Sequence, residues 1–399
     1  MKLLSLVTFS SLIITVAHAE TYSPASFNLT DGVEVVPQFE SAIVYDDNIY
    51  TSEDDPISSF VFINQPSISF GISNGINHYG GSYKLISGIY SEVDDGNDDY
   101  IDHSLSLSSH TEFTDRNKLD FDLNFDNLHD DRGSNSTDSA AYSYDEPLVY
   151  NNYKGNAYYQ FGAQSALMNI GGGIQYTRKV YQNFTESTQY DDTETIKLLL
   201  DSAYRVGTVT YITLGITHAD ITYLNKESGV ATQNSNDNNV HLGMRWAGLG
   251  KTTGSVKLGY QYKTFDDSSR ENFNGNTVDL NLSWLPVTYS NFKLGISREV
   301  EDSSTYGDYV LAFGSDLTWS HHWSDILKTI STIQYNTDEY VGSSTERKDK
   351  TFSASFNINY SFSRWLLLFT GYGYSNRDSS LYGYGYKQNT VNLGMKISL

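Results

Sequence analysis

A chain of 399 residues with 48 Asp and Glu against 26 Lys and Arg carries a net charge of −22, so it lacks the basic surface that nucleic-acid binding needs. It has no cysteine, which excludes a disulfide framework, a thiolate metal site and a cysteine nucleophile. With 32 tyrosines, 31 glycines and 6 prolines at 39% hydrophobic content, it is aromatic, turn-rich and too polar for a helical membrane protein. A strand-built one stays open, because only every second residue of a membrane strand faces lipid.

The chain begins with a short basic start, Met1-Lys2, an apolar run from Leu3 to Val16, and the small-x-small site Ala17-His18-Ala19. This pattern predicts a secretory signal peptide over 1–19 and an exported single domain over 20–399. No other segment approaches the ~20 apolar residues of a transmembrane helix.

From Val33 onward the sequence reads as strand after strand. The expected spans are 33–46, 57–72, 76–92, 100–114, 117–130, 150–163, 167–184, 191–206 and 209–224, then 236–249, 252–267, 272–285, 288–300, 306–323, 326–340, 348–363, 366–376 and 388–399. That is about eighteen, an even number, each long enough to cross a bilayer when tilted. The connections alternate in length. Tight ones fall at Ser73-Asn74-Gly75, Asp115-Arg116, Val206-Gly207-Thr208, Leu285-Pro286-Val287 and Ser363-Arg364. Long polar ones fall at 47–56, 93–99, 131–149, 225–235, 301–305, 341–347 and 377–387. Short turns at one rim and long loops at the other are the pattern of an outer-membrane barrel with both termini in the periplasm. The long connection at 131–149 either folds inward as a constriction or stays outside.

The strands show two faces. Leu119, Phe121, Leu123 and Phe125 alternate with Asp120, Asp122, Asn124 and Asp126, and Val278, Leu280, Leu282 and Trp284 alternate with Asp279, Asn281 and Ser283. A carboxylate facing hydrocarbon costs kilocalories, so the polar rows must line a wet interior. The final stretch, Thr390 to Leu399, alternates strictly and ends on an apolar residue. It is similar to the terminal assembly signal of outer-membrane barrels, with Leu399 where Phe is usual. Trp246, Trp284, Trp319, Trp323 and Trp365 fall near strand ends, where interfacial girdles recruit aromatics. The fold class is therefore all-β, a transmembrane antiparallel β-barrel of about eighteen strands in the outer membrane of a Gram-negative bacterium, in contact with outer-membrane lipid and lipopolysaccharide.

Face assignment places Glu112, Asp120, Asp122 and Asp126 in the lumen on the fourth and fifth strands, and Arg245, Lys257, Lys263 and Lys293 in the lumen on the tenth to thirteenth. These sets lie roughly opposite each other. They either set up a transverse field that orients polar solutes or simply keep the interior wet, and Asp279 and Glu299 interrupt the basic side. Tyr372 and Tyr374, in the densest tyrosine cluster, are expected to line a sugar-stacking path, although Tyr also fills girdles. Acidic pairs recur in loops, among them Asp94-Asp95, Asp98-Asp99 and Asp191-Asp192. They are oxygen-rich enough for Ca²⁺, but none has EF-hand spacing, and no cofactor is expected. No nucleophile elbow, metal signature or phosphate loop is present, so the chain does not read as an enzyme.

Two stretches carry a family resemblance. One runs from Val33-Glu34-Val35-Val36-Pro37 through Tyr45-Asp46-Asp47-Asn48 to Asn64-Gln65-Pro66. The other contains Arg347-Lys348-Asp349, Arg364-Trp365-Leu366, Tyr374-Ser375-Asn376-Arg377-Asp378-Ser379 and Tyr386-Lys387-Gln388-Asn389. Together they resemble the β-barrel porin type 2 family, outer-membrane barrels that accompany capsule and exopolysaccharide gene clusters. The resemblance implies passage of a capsular or exopolysaccharide through the outer membrane, beside a periplasmic polysaccharide export protein. It marks Tyr45, Asp46, Asp47, Asn48, Arg377, Asp378 and Ser379 as family-like positions. A general or sugar-selective diffusion porin, and an outer-membrane lectin that anchors surface polysaccharide, are the competing expectations. A bare assembly partner of an export complex is a third.

Overall fold

The computed structural model describes residues 22–30, 32–91, 97–134, 137–138, 140–163, 165–303, 307–342 and 346–398. The expected signal peptide and Leu399 lie outside the described residues, as do Asp94 and Asp95. A short strand β1 (Phe27–Thr30) precedes eighteen long ones. In the first half these are β2 (Val33–Asp46), β3 (Ser59–Asn74), β4 (Asn77–Tyr90), β5 (Tyr100–Thr114), β6 (Asn117–Asp130), β7 (Leu148–Phe161), β8 (Met168–Tyr181), β9 (Thr193–Arg205) and β10 (Thr210–Tyr223). In the second half they are β11 (Ser235–Leu249), β12 (Thr252–Phe265), β13 (Phe273–Val287), β14 (Ser290–Asp302), β15 (Tyr309–His322), β16 (Leu327–Val341), β17 (Arg347–Ser363), β18 (Leu366–Ser379) and β19 (Tyr386–Ile397).

Each strand from β2 to β19 pairs antiparallel with the next, and β19 pairs back onto β2, from Thr390 opposite Asp46 to Ile397 opposite Phe39. The sheet is a closed eighteen-stranded barrel. Closure is what hydrocarbon demands, since an open edge there would leave backbone groups without partners. The rim that holds Val33 and Ile397 carries the tight connections. One is the two-residue turn Gly250-Lys251, with both φ positive at +58° and +67°, the geometry whose twist matches the flanking strands.

Alternation separates the walls as expected. Leu200, Ile216, Val240 and Tyr260 stand side by side on the outer face and are 47–56% exposed to the surroundings. One residue further along, Leu199, Thr217, Asn239 and Gln261 form the adjacent row on the lumen side. All five Trp lie at the tight-turn rim. Three of their indole N–H groups are satisfied locally, Trp246 by Thr252, Trp319 by Ser290 and Trp323 by Thr329. What compact packing there is sits at the long-loop rim, in the clusters Phe265/Phe273/Val300/Tyr309 and Leu148/Tyr150/Tyr181.

Several boundaries shift slightly from expectation, and two of the shifts have a clear physical reason. Leu285-Pro286-Val287 is not a turn: β13 runs through it, and Thr288-Tyr289 makes the turn. The ladder to β14 is irregular between Trp284 and Val287, so Pro286 sits where its missing N–H is not needed. Similarly, β18 continues through Ser379 rather than ending at 376, because the register with β17 holds out to Asp349 opposite Ser379.

The face assignment predicts a contrast between neighbours in mid-β10. Ile216→Lys, on the outer face, should lower the unfolding free energy measured by urea titration in lipid vesicles by about 2–4 kcal/mol, whereas Thr217→Lys, facing the lumen, should change it little. Equal losses at the two positions would contradict the assignment.

Candidate channel lumen and its outer mouth

The motif Tyr45-Asp46-Asp47-Asn48 stitches the first wall strand to the last. The Asp47 carboxylate accepts from the Asn389 backbone N–H (2.6 Å) and from its amide Nδ2 (2.7 Å). Asp46 accepts from Gln388 Nε2 at 2.7 Å and from the Asn48 N–H at 2.8 Å. Asn48 is 1% exposed. Its Nδ2 donates to the carbonyls of Ser52 and Lys387, its Oδ1 accepts from the Ser52 N–H, and its own carbonyl accepts from Gln388. Tyr45 points outward and packs against Phe60, with ring centroids 5.0 Å apart. These residues reinforce the outer end of the β2–β19 seam, where the Asp47 N–H also donates to the Asn389 carbonyl at 3.2 Å.

The second motif holds a loop. The described residues of the connection between β6 and β7, 131–134, 137–138 and 140–147, do not stand clear of the barrel. Arg132 is buried and grips Asp98 of the 91–99 connection with both arms of its guanidinium, Nε to Oδ1 at 2.6 Å and Nη2 to Oδ2 at 2.7 Å. Its Nη1 donates to the Tyr144 carbonyl, and its charge lies 4.5 Å from the centre of the Tyr50 ring. Burial opposes this charge, but the bonds to Asp98 and the field of Asp98 and Tyr50 more than offset it and lift the guanidinium pKa above its usual value. Gly133 has φ +82°, and a Cβ there would meet the Tyr50 carbonyl oxygen at 1.9 Å, so only glycine fits. Thr137, fully buried, accepts at Oγ1 from the N–H groups of Gly133 and Ser134 and closes the turn.

Beyond this turn, Asp138 reaches the inward-facing rows of β17 and β18. One carboxylate oxygen bonds Arg347 Nη2 at 2.6 Å and the other bonds Arg377 Nη2 at 2.5 Å. Arg347 opens β17 and Arg377 lies near the end of β18; β19, β2, β3, β4 and β5 separate β18 from β6 around the ring. The loop therefore crosses the 91–99 and 47–58 connections on the inner side of the outer rim to make this contact, the inward alternative of the two read from the sequence. Arg347 is completely buried. It is held by Asp349 (Nη2 to Oδ2, 2.6 Å) and lies over the rings of Tyr384 at 3.7 Å and Tyr340 at 4.3 Å. Ser379 donates to Asp349 at 2.6 Å, and Arg377 Nε donates to the Tyr384 carbonyl. Asp378 is exposed at the rim.

Below the mouth, all eight predicted lumen charges lie on inward-facing rows, but they are not segregated by sign. Glu112 pairs with Lys118 at 2.6 Å, and His110 bonds Asp120 at 2.6 Å. Asp122 accepts from Asn156, and Asp126 faces Ser104 and Asn152. Lys257 lies 3.7 Å from Asp279, and Lys263 is buried 2.6 Å from Asp302. Arg245 lies over the Tyr211 ring, and Lys293 stands between Ser283 and Thr318. Local pairing thus neutralises part of each side, while Asp122, Asp126, Arg245 and Lys293 face neutral neighbours.

Tyr372 and Tyr374 require correction. Tyr372 stands between Phe356 and Val391 on the outer face and is 48% exposed; Tyr374 stands between Ala354 and Asn389 on the same face. The inward positions of this strand belong to Gly371, Gly373, Ser375 and Arg377, and a period of two leaves the tyrosines no choice. The lumen wall here is instead a charge-free patch. Thr332, Gln334, Ser353, Ser355, Gln388 and Thr390 line one shallow recess across β16–β19, above the Lys396–Glu40 pair at the periplasmic end and below Arg377. Sequence reasoning missed Arg132, Asp138 and Thr137 as mouth residues. Among the described residues, no group of three or more His, Asp or Glu is placed to hold a metal ion.

A family model described as "Putative beta-barrel porin 2" matches residues 34–399. The chain belongs to that family. It is an outer-membrane β-barrel channel, and this porin family is not one of enzymes. Among solved structures, Pseudomonas aeruginosa OccK2 (OpdF) is similar at 12% identity and a TM-score of 0.50, over 92% of this chain and 98% of that one. P. aeruginosa OpdK with vanillate is similar at 12% identity and a TM-score of 0.49, over 92% and 99%. A BenF-like porin from Pseudomonas fluorescens Pf-5 is similar at 9% identity and a TM-score of 0.48, over 92% and 99%. Among curated proteins, none matches.

The porin's seam makes its own prediction. Asn48→Ala removes the side-chain partner of the Ser52 N–H and of the Ser52 and Lys387 carbonyls and should cost about 1–3 kcal/mol, seen as a lower melting temperature of the compact barrel on semi-native electrophoresis. Asp378→Ala, in the other family-like motif but exposed, should leave that temperature unchanged.

Proposed function

We propose that this barrel carries a secreted polysaccharide, of capsule or exopolysaccharide type, across the outer membrane. The observation that supports it most is the uncharged patch of hydroxyls and amides on β16–β19. A sugar chain presents a dense, neutral set of donors and acceptors. Ser, Thr, Asn and Gln groups can exchange hydrogen bonds with it one for another, so that binding is shallow and passage is not trapped. Charged walls would hold water or counterions instead. The family resemblance points the same way, and a periplasmic export protein is the partner this reading requires.

A second reading has its own support. The loop that folds in along the outer rim narrows the mouth, which suits a diffusion channel for small polar solutes better than a permanently wide exit. The two readings differ in what limits passage: in the first the crossing loop must yield, in the second it is a fixed filter.

Deletion of the chain separates them. The export reading expects polymer stranded in the periplasm and returned to the surface when the intact chain is restored, as measured by fractionation and carbohydrate staining. Unchanged amount and location of polymer, together with steady conductance of the purified barrel in planar bilayers, would leave the small-solute channel. Normal output that sheds from the cell would indicate surface attachment instead.

A further inference from the structure

The crossing loop is held by an interaction whose chemistry a solute can copy. Asp138 offers one carboxylate to two guanidinium groups on the lumen wall, Arg347 and Arg377. Neither arginine depends on Asp138 for its position. Arg347 is fixed by the carboxylate of Asp349 and by two tyrosine rings, and Arg377 is fixed by the Tyr384 carbonyl and lies 4.8 Å from the Tyr386 ring centre. Among the described residues, the Nη1 of Arg347 is buried with no hydrogen-bond partner. A preformed pair of guanidiniums with donor capacity to spare is a carboxylate receptor.

Its place in the bore gives it a source of ligand. Arg377 is the next inward-facing residue outward from Ser375 on β18, and Ser375 stands between Ser353 and Gln388 of the uncharged patch. A sugar moving outward along that patch meets Arg377 first and Arg347 beyond it.

We propose that Arg347 and Arg377 form a binding site for carboxylate-bearing sugars, occupied in this structure by the chain's own Asp138, and that a uronate arriving along the wall displaces Asp138 and releases the crossing contact. This rests on the reading of the barrel as a polysaccharide conduit and names the class of polymer, an acidic one. The exchange is of one carboxylate for another on the same donors. It needs no net loss of charge pairing at the mouth, which makes it accessible without unfolding the wall.

The test uses the full mature barrel in planar bilayers, bathed in sodium chloride and then in an equal ionic strength with sodium glucuronate replacing part of the chloride. Wild type should open several-fold more often in glucuronate. Glucose at the same concentration should not change it. Asp138→Asn should be open in chloride alone and should gain nothing from glucuronate, whereas Asp138→Glu should restore the wild-type response. Heat-modifiable mobility verifies that each variant is folded. An Asp138→Asn channel that conducts like wild type, or a glucose response equal to that of glucuronate, would overturn the proposal. Neither result depends on where polymer accumulates in the deletion strain, so loss of the export reading and loss of the carboxylate site register separately.

Discussion

A backbone N–H or C=O in hydrocarbon has no water to turn to, and this barrel's construction follows from that lack. The sheet must close, and it closes where β19 meets β2. That seam has a shorter run of paired residues than its neighbours: it begins at Asp46 opposite Thr390, while β2–β3 pairing runs from Val33 to Asp46. The side chains of Asp46, Asp47 and Asn48 add to the stitching at the outer end of the seam, onto Lys387, Gln388 and Asn389. The motif that carries family resemblance at the start of the chain is thus first a structural device. It adds side-chain bonds at the outer end of the ladder, where the Asp47 N–H also donates to the Asn389 carbonyl at 3.2 Å.

The same constraint explains what could be read in advance. A strand that separates hydrocarbon from water must alternate, and a barrel of even strand number must alternate short and long connections. Both patterns are local, and the eighteen wall strands follow from them. The carboxylates of β6 were assignable for the same reason. Pro286 misled because proline signals a turn in general but is also tolerated at an irregular rung. Tyr372 and Tyr374 were misread although the pattern was legible: Gly371, Gly373 and Ser375 hold the inward positions, and small residues there leave room in the bore. The contact of Asp138 with Arg347 could not be read at all. It joins residues 209 apart with no periodic signal at Asp138, and only the folded barrel brings the loop to that wall.

The charges of the lumen and of the mouth behave differently because their surroundings differ. In the bore, Glu112–Lys118, Lys257–Asp279 and Lys396–Glu40 neutralise one another within a few ångströms. Their fields beyond about one Debye length of ~8 Å are screened by electrolyte. Such pairs keep water in the channel and contribute little to orienting a solute across it. At the mouth, Arg132 and Arg347 are withdrawn from solvent, and screening there is weak. Removing one member of a buried, hydrogen-bonded pair costs about 3–5 kcal/mol, so these contacts decide where the loop lies.

The two anchors of the loop are nonetheless unequal. Arg132 and Asp98 bind each other through two parallel hydrogen bonds, and Thr137 and Gly133 fold the chain tightly around them. This end of the loop belongs to the wall. Asp138 makes single bonds to each of two arginines that have other partners. When Asp138 leaves, Arg347 keeps the carboxylate of Asp349, and the buried charge is not abandoned. A contact that can break without stranding a charge in low dielectric is the one that can serve as a moving part. The geometry therefore places any movement of the mouth at the Asp138 end and leaves the Arg132 end as its pivot.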